Sequence, residues 1–319
     1  MNSSVLFIKI KTAVKKVLRV VDIPVTFLES KMVLQKEPSS FKYDFGVVAI
    51  VKDEESYIRE WALYYKSVGV SVIYLYDNGS ADKTKEEIQD LIDSGFIQYV
   101  FYPGIAKQYS AYEDAIRKHK NDVKYMAFLD ADEFLMPCDP SDDLFTIVDT
   151  LLSQNSHYAG LAVNWRMYGS SGHIQPPKGL VLDNYLYRAA ENGKGNACIK
   201  SIINPRKVIG YRDAHYPKYG FGYFAINELS EPITGAYNWS EFGKPMQKLR
   251  INHYYTKSWE EWLKRRSRRV ADRHSPHIRT YEQLRSDFQD YDSNVLKDLI
   301  GTKYADRFRA LINQGIENG

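Results

Sequence analysis

Short apolar segments alternate with helix-patterned segments through the first half of the chain, and this alternation limits the fold more than any other feature. The apolar runs lie at residues 46–51, 72–76, 97–101 and 125–129. The segments between them predict helices over 54–68, 84–94 and 110–118. Strands alternating with helices of this length predict an α/β domain with a doubly wound, mostly parallel sheet.

The alternation weakens after Pro137. A helix is predicted over 142–152 and a strand over 160–165, and loops rich in glycine and aromatic residues follow. The part from Ser258 onward is predicted to be helical and basic. We therefore divide the chain into a basic N-terminal segment with a linker (1–40), an α/β domain whose second half is loop-rich α+β (41–275), and a helical C-terminal extension (276–319).

Composition excludes several classes of protein. The 319 residues include 43 Lys and Arg against 40 Asp and Glu, and this balance gives no global case for binding nucleic acid. Two cysteines are too few for a disulfide scaffold or a Cys-rich zinc module. We expect no nucleic-acid partner.

The first 21 residues form a basic amphipathic pattern. Apolar residues recur at spacings of three and four from Leu6 to Val21, and five Lys and Arg residues interrupt them. This differs from a signal peptide, and no run is long enough to span a membrane. The predicted helix lies either on an anionic membrane face or on its own domain. We expect a cytoplasmic protein, with peripheral contact at the inner membrane face in the first case.

Polar clusters follow three of the predicted strands. They are Lys52-Asp53-Glu54, Asp77-Asn78 and the stretch 130–133. Ligands of parallel α/β sheets bind at the carboxyl ends of the strands, so the three clusters are expected to meet at one ligand site.

The third cluster contains two carboxylates, Asp130 and Asp132, directly after a buried strand. Such a pair can bind Mg²⁺ or Mn²⁺, and the ion can then hold a diphosphate. A helix N-cap or a solvated turn is the structural alternative. A haloacid-dehalogenase-like phosphatase needs Thr where Phe134 stands, and a polymerase needs more carboxylates. Nucleotide-sugar transfer fits best, with Asp77 and the first loop as the base pocket.

The ordered motifs resemble a GT-A glycosyltransferase domain of the family 2-like group and, more closely, glycosyltransferase family 92. The similar stretches are 52–54 with 60–61, 69–70, 76–82 and 128–134, and later ones at 165–173, 200–205 and 253–261. One departure is Asp53, where the common form of the first motif has Asn.

The resemblance implies a role for each candidate residue. Asp77 would bind the base of a nucleoside-diphosphate sugar. Lys52, Glu54, Asp130 and Lys200 would line the donor site, although Lys200 is equally consistent with a solvated surface lysine. Asp130, Asp132 and His253 would hold Mn²⁺ or Mg²⁺. His173 and His215 are the candidates for contact with the acceptor, and either could equally cap a loop. The candidates for the catalytic base are Glu228, which we prefer, and Asp213, Glu231 and Glu241.

Two functions follow. The first is a metal-dependent, inverting glycosyltransferase that uses a nucleoside-diphosphate sugar, with UDP as the expected nucleotide, and a glycan or lipid-linked acceptor. Similar bacterial chains imply surface polysaccharide synthesis. The second is a non-catalytic GT-A-like module that binds an anionic polymer or a membrane through its basic helices, including the run 264–269. The structural alternative for that run is a solvated helix face, with Trp259 and Trp262 packing the helix onto the domain.

Overall fold

The computed structural model describes residues 25–31, 34, 36–211, 213–266 and 279–317. The predicted amphipathic helix at 5–21 lies outside these residues, as do positions 267–269 of the basic run. Peripheral membrane contact and a cytoplasmic location therefore stay predictions. Within the described ranges, no helix has the length and apolar character needed to cross a membrane.

Strands and helices alternate along the first half of the chain, and short strands dominate the second half. The strands are β1 (Tyr43–Val51), β2 (Val72–Asp77), β3 (Ile97–Phe101), β4 (Val123–Phe128), β5 (Glu133–Pro137), β6 (Tyr158–Met167), β7 (Tyr187–Arg188), β8 (Ile199–Ile203), β9 (Val208–Tyr211), β10 (Pro217–Tyr219), β11 (Phe224–Ile226), β12 (Pro232–Ile233), β13 (Leu249–His253) and β14 (Leu296–Lys297). The helices are α1 (Ile58–Ser67), α2 (Gln89–Asp93), α3 (Gln108–His119), α4 (Leu144–Leu152), α5 (Val181–Asn184), α6 (Trp259–Arg266), α7 (Tyr281–Tyr291) and α8 (Ile300–Glu317).

The central sheet confirms the predicted mostly parallel, doubly wound architecture. Its strands run in the order β12-β11-β6-β8-β4-β1-β2-β3, and β4, β1, β2 and β3 are mutually parallel. Strand β8 pairs antiparallel with both β4 and β6, which joins the parallel half to the second half of the domain. Apolar clusters cover both faces of the parallel half, which explains its nearly continuous apolar strand sequences.

Two predicted helices differ from the structure. The helix predicted from residue 54 begins at Ile58, because the backbone N–H groups of Asp53 and Glu54 bond to side chains of the next strand–helix loop. The helix predicted over 84–94 is a 3₁₀ turn, Glu86–Ile88, followed by α2. The helix is interrupted at Ile88. Its side chain is buried, and its backbone dihedral angles are not helical (φ −125°, ψ 15°).

Aromatic side chains of α1 hold the start of β5. The indole of Trp61 and the hydroxyl of Tyr65 both donate to the carbonyl of Glu133, at 3.0 and 2.9 Å. The Tyr65 hydroxyl also accepts the N–H of Leu135 at 2.9 Å. Buried backbone polar groups need such partners, so α1 fixes the residues directly after the Asp130–Asp132 turn.

Both ends of the described chain pack on this domain. In α8, the side chains of Tyr304 and Phe308 belong to the main core, so the predicted C-terminal extension is not a separate unit. Before β1, the carboxylate of Glu37 pairs with the buried guanidinium of Arg206, whose other nitrogens donate to three carbonyls beside β4.

Replacing Tyr65 by Phe tests the aromatic support of β5. The change removes a partner from two buried backbone groups, and we expect it to lower the free energy of unfolding by about 2 kcal/mol. Chemical denaturation measures this change. Tyr74→Phe is the matched control, because the buried hydroxyl of Tyr74 has no hydrogen-bond partner and its loss is expected to be neutral or stabilising. Equal losses in the two variants would contradict the interpretation.

Candidate active site

The acidic turn joins β4 to β5 at the carboxyl end of the parallel strands. The carbonyl of Asp130 accepts the N–H of Glu133 at 3.0 Å, and the N–H of Asp130 donates to the Glu133 carboxylate at 2.9 Å. This closed turn directs its two aspartates to different partners. Asp130 contacts β8 and α3, whereas Asp132 contacts β13 and α6.

Lys200 lies beneath Asp130 with only 1% of its side chain exposed. Its ammonium is 2.9 Å from the carboxylate of Asp130 and 3.4 Å from that of Glu133. Gln108 donates to the other oxygen of Asp130 at 3.2 Å. The alternative of a solvated surface lysine is therefore wrong, and in this structure Lys200 binds a carboxylate of the acidic turn.

Burial and the neighbouring charges shift the pKa of Lys200 in opposite directions. Burial acts to lower the pKa of Lys200, but the nearby Asp130 and Glu133 carboxylates outweigh it and hold the pKa well above its ordinary value. Burial raises the pKa of Glu133 well above its usual range. The buried ammonium of Lys200 therefore has the carboxylates of Asp130 and Glu133 as partners, as a buried charge requires.

Asp132 lies among basic side chains. Its carboxylate lies 3.4 Å from Nε2 of His253 and also contacts the guanidinium of Arg265. Burial acts to raise the pKa of Asp132, but His253, Arg265 and Lys257 outweigh burial and lower it. The carboxylate of Asp132 is thus ionised and lies beside His253, at the edge of the acidic turn.

The side chains at the acidic turn match part of the ligand set that a divalent metal ion needs. Two ligands at right angles around an ion with bonds of about 2.1 Å lie about 3.0 Å apart, close to the separation of Asp132 and His253. The Nδ1 atom of His253 is buried and has no hydrogen-bond partner among the residues that the structure describes. Across the described ranges, no three His, Cys, Asp or Glu side chains are grouped as a metal site. Asp132 and His253 would therefore supply two ligands to such an ion, whereas Asp130 faces Lys200.

Asp77 lies farther along the edge that the carboxyl ends of the parallel strands form. It is buried at the end of β2, where its carboxylate accepts the N–H of Ser80 at 2.7 Å and the hydroxyl of Tyr99 at 2.5 Å. A cleft of about 280 Å³ opens beside it, walled by Tyr99 and Phe101 of β3. The cleft has an acceptor at its base and aromatic side chains on its wall.

The loops after β1 and β2 bind each other. The N–H of Glu54 donates to Thr84 at 2.8 Å, and the carboxylate of Asp53 accepts the N–H of Ala81 at 2.7 Å. Asp53 has a left-handed backbone (φ 54°), which Asp and Asn adopt more easily than other non-glycine residues. That conformation accounts for Asp where the common motif has Asn. The side chain of Lys52 is exposed on the same loop.

Lys257 extends the site beyond Asp132. It is buried, has a left-handed backbone (φ 51°), and places its ammonium 3.7 Å from the ring centre of Tyr57. Glu261 accepts hydrogen bonds from the hydroxyls of Tyr57 and Tyr185, and Glu60 accepts the N–H groups of residues 181 and 182. A strained backbone at a buried lysine beside the acidic turn is typical of a functional position.

The predicted acceptor residues are separated. The ring of His215 packs edge-on to Trp165, which in turn packs 4.3 Å from His253. Burial and the charge of Lys200 lower the pKa of His215. His173 instead contacts Tyr185 and the carbonyl of Asn184. The structure thus places His215 beside the acidic turn and His173 beyond the Lys257 group.

Two of the four candidate bases, Asp213 and Glu228, also differ in place. The carboxylate of Asp213 accepts the N–H groups of His215 and Tyr216, both at 2.8 Å, and so lies in the loop next to the acidic turn. The carboxylate of Glu228 accepts the N–H groups of residues 247–249 at the start of β13. Glu228 has a loop-fixing contact, and its role as the base stays a prediction.

Several site residues were missed from the sequence. Arg265 belongs to a basic run that looked like a solvated face or a polymer-binding surface, yet its guanidinium reaches Asp132. Trp259 and Trp262 pack α6 against Phe288 of α7. No sequence spacing links Arg265 to the acidic turn. Lys200, by contrast, was among the predicted donor-site residues, and a lone lysine within an apolar strand segment is typical of a buried, paired charge.

A mostly parallel sheet with this acidic strand end has the architecture of a GT-A glycosyltransferase domain. The sequence profile of glycosyltransferase family 92 matches residues 48–291, and the chain belongs to that family. A family 92 protein of Arabidopsis thaliana is 25% identical over 249 residues, covering 74% of this chain and 39% of the relative. One of Oryza sativa subsp. japonica is 24% identical, covering 70% and 35%. The chain spans less than two fifths of the length of these relatives.

Solved structures share parts of this fold. Staphylococcus aureus TarS in complex with UDP is 16% identical, with a TM-score of 0.34, over 51% of this chain and 47% of that one. Glucosyl-3-phosphoglycerate synthase from Mycobacterium tuberculosis, in complex with Mn²⁺, UDP and glucosyl-3-phosphoglycerate, is 14% identical. Its TM-score is 0.28, over 41% and 50% of the two chains.

The buried Glu60 predicts a pH-dependent contribution to stability. Burial raises its pKa from 4.5 to about 7, so the folded protein holds this proton to a higher pH than the unfolded chain does. Stability is therefore lost as the pH rises through this window. Glu60→Gln cannot titrate, and between pH 5 and pH 8 it should gain up to about 3 kcal/mol relative to the parent protein.

Urea denaturation at several pH values checks this expectation. Glu60 accepts the N–H groups of residues 181 and 182 with separate oxygens, and Gln has one acceptor oxygen, so the lost contact adds an offset that lowers the stability of the variant by a similar amount at every pH. Glu87→Gln, on the exposed 3₁₀ turn, is the control. Parallel profiles for Glu60→Gln and the parent protein would refute the assignment.

Proposed function

We propose that this protein transfers a sugar from a nucleoside-diphosphate sugar to a hydroxyl acceptor, with a divalent metal at Asp132 and His253. The observation that carries the proposal is the pairing of an ionised Asp132 with His253 at the carboxyl end of the parallel strands. Mn²⁺ or Mg²⁺, when bound, would neutralise the diphosphate and stabilise it as a leaving group. Its remaining ligands would come from that diphosphate and from water.

The cleft beside Asp77 supports a nucleotide as the donor group. A planar base stacks on aromatic side chains, and Tyr99 and Phe101 wall the cleft. Asp77 can accept a further hydrogen bond from a ring N–H, as uracil offers. UDP is the proposed nucleotide on this ground, with Lys52 and Glu54 on the adjoining loop.

Cations beside Asp132 support stabilisation of the departing diphosphate. Lys257 is held by its strained backbone and by the face of Tyr57, and Arg265 lies at Asp132 itself. Fixed positive charge at the place where negative charge develops lowers the activation barrier strongly in many enzymes. Because Lys200 is buried under Asp130, its proposed role is to orient that carboxylate toward the donor.

The acceptor side lies next to His215. Asp213 is fixed by two backbone N–H groups in this loop, and we assign to it the removal of the acceptor proton in an inverting transfer. The acceptor is proposed to be a glycan or a lipid-linked sugar. A place in surface polysaccharide synthesis belongs to the same proposal and rests on the sequence resemblance.

A non-catalytic polymer-binding module is less well supported. Arg265 contacts Asp132, and Arg266 lies over Trp262 and Tyr255, at 4.3 and 4.8 Å from the ring centres. These guanidinium groups are directed to the domain and not to an outer binding surface. Of the predicted basic run, they and Lys264 are the members within the described residues.

Asp132→Asn is expected to reduce Mn²⁺-dependent hydrolysis of a UDP-sugar by roughly 100-fold or more, because the ion loses an anionic ligand. Release of UDP measures the reaction, and a thermal shift with UDP and Mn²⁺ reports binding. Asp93→Asn, an exposed change on α2, is the control. Unchanged hydrolysis in the Asp132 variant would contradict the metal assignment, and a parent protein without nucleotide binding would overturn the function.

A second pair of variants separates the two candidate bases. Asp213→Asn should lower the rate constant of hydrolysis by about 10²- to 10⁴-fold at unchanged UDP affinity, because water then lacks a base. Glu228→Gln should lower the melting temperature and leave this rate unchanged, since its carboxylate binds backbone N–H groups. The reverse pattern would favour Glu228, and retention of anomeric configuration in the released sugar would rule out inversion.

A further inference from the structure

Two aromatic side chains project from the loop between β12 and β13. Tyr237 is 53% exposed and Trp239 is 65% exposed. Their rings are 5.9 Å apart and inclined by only 20°, and the ring of Phe242 supports Trp239 edge-on at 5.2 Å. Adjacent exposed aromatic rings whose planes are nearly parallel form an apolar surface of the kind that marks a binding site.

The pair is held rigidly by the residue between its members. Asn238 is fully buried, and its amide donates to Asn164 at 2.8 Å and to Glu241 at 2.6 Å. Its backbone N–H also donates to the carbonyl of Ala197 at 2.8 Å. Asn238 thus fixes the backbone between Tyr237 and Trp239, whose side chains are exposed, so this backbone has little freedom left to lose when a ligand binds.

The pair is continuous with the candidate active site. Tyr237 pairs with Cys198, which lies two residues before Lys200, and the carbonyl of Cys198 accepts the N–H of Trp165. The ring of Trp165 packs on His253. The pKa of the Tyr237 hydroxyl is raised, with the neighbouring Cys198 as the largest cause.

The strand order separates this surface from the nucleotide cleft. The cleft lies at β2 and β3, the acidic turn follows β4, and Tyr237 borders β8 on the opposite side of that turn. A donor that occupies the cleft and reaches Asp132 leaves the Tyr237 side open. The group that approaches from there is the second substrate.

We propose that Tyr237 and Trp239 form a stacking platform for a pyranose ring of the acceptor. This proposal rests on the proposed function and names the acceptor class as a saccharide. One face of a pyranose presents C–H groups of partial positive charge, which pack on the electron-rich face of an aromatic ring. The hydroxyl groups at the edge of the sugar stay in water, which suits a platform exposed to solvent.

The tryptophan content makes the platform measurable. Of the five tryptophans, Trp61 and Trp262 are buried, Trp165 and Trp259 are half-buried, and Trp239 alone is largely exposed. Titration with a panel of gluco-, galacto-, manno- and xylo-oligosaccharides is therefore expected to change the fluorescence of the parent protein with a saturable curve. No donor is needed for this measurement.

Three variants test the assignment. Trp239→Ala should abolish the fluorescence change, and Tyr237→Ala should weaken saccharide binding, measured by the same titration, by about tenfold or more. Trp239→Phe, which keeps a flat ring, should retain binding by calorimetry. Hydrolysis of a UDP-sugar should be unchanged in all three. Phe221→Ala is the matched control, because Phe221 is 50% exposed and precedes β11, whose first residues pair with the opposite end of β6.

The outcomes separate this proposal from the proposed function. If the parent protein hydrolyses a UDP-sugar but no saccharide in the panel binds, or if Trp239→Ala binds as well as the parent by calorimetry, the platform is refuted. Self-association or binding to anionic vesicles that is lost in Trp239→Ala, without saccharide binding, would also refute it. Absence of nucleotide binding and hydrolysis in the parent protein refutes the glycosyltransferase proposal instead.

Discussion

The buried ammonium of Lys200 holds β8 and the acidic turn in place relative to each other. Pairing between β4 and β8 ends at Ala127 and Ile202, and Lys200 enters the space where the two strands separate. There it meets Asp130 at 2.9 Å, while Glu133 closes the turn from behind. An unpaired charge at this depth would be far less stable than a paired one, so the antiparallel strand and the acidic turn require each other.

The different partners of Asp130 and Asp132 divide the carboxyl-end edge of the sheet into two sides. Asp130 faces the buried lysine, whereas Asp132 faces His253 and Arg265 on elements that come more than 100 residues later in the chain. The parallel half of the sheet supplies the cleft beside Asp77, and the second half supplies Trp165, His215 and the exposed aromatic pair. Family 92 membership spans both halves, since the match runs from residue 48 to residue 291.

Sequence patterns predicted the parallel half well because its strands are buried on both faces and end in polar residues. Asp77, Asp130 and Asp132 could be placed from that rule alone. The second half could not, because the contacts of Lys257 and Arg265 depend on tertiary packing and on a left-handed backbone at a lysine. Glu228 stays a prediction as the base, and its contacts show that a carboxylate in a loop can bind backbone N–H groups as readily as a substrate.

The interlocked loops after β1 and β2 have a consequence for ligand binding. Backbone N–H groups at Asp53, Glu54 and Glu55 are bonded to Ser80, Thr84 and Asp82, and the N–H of Ala81 is bonded in return to Asp53. Neither loop can change its backbone without breaking bonds in the other, so the two behave as one body. The conformational entropy of the cleft wall is thus lost during folding, and a nucleotide would meet a surface whose shape already exists.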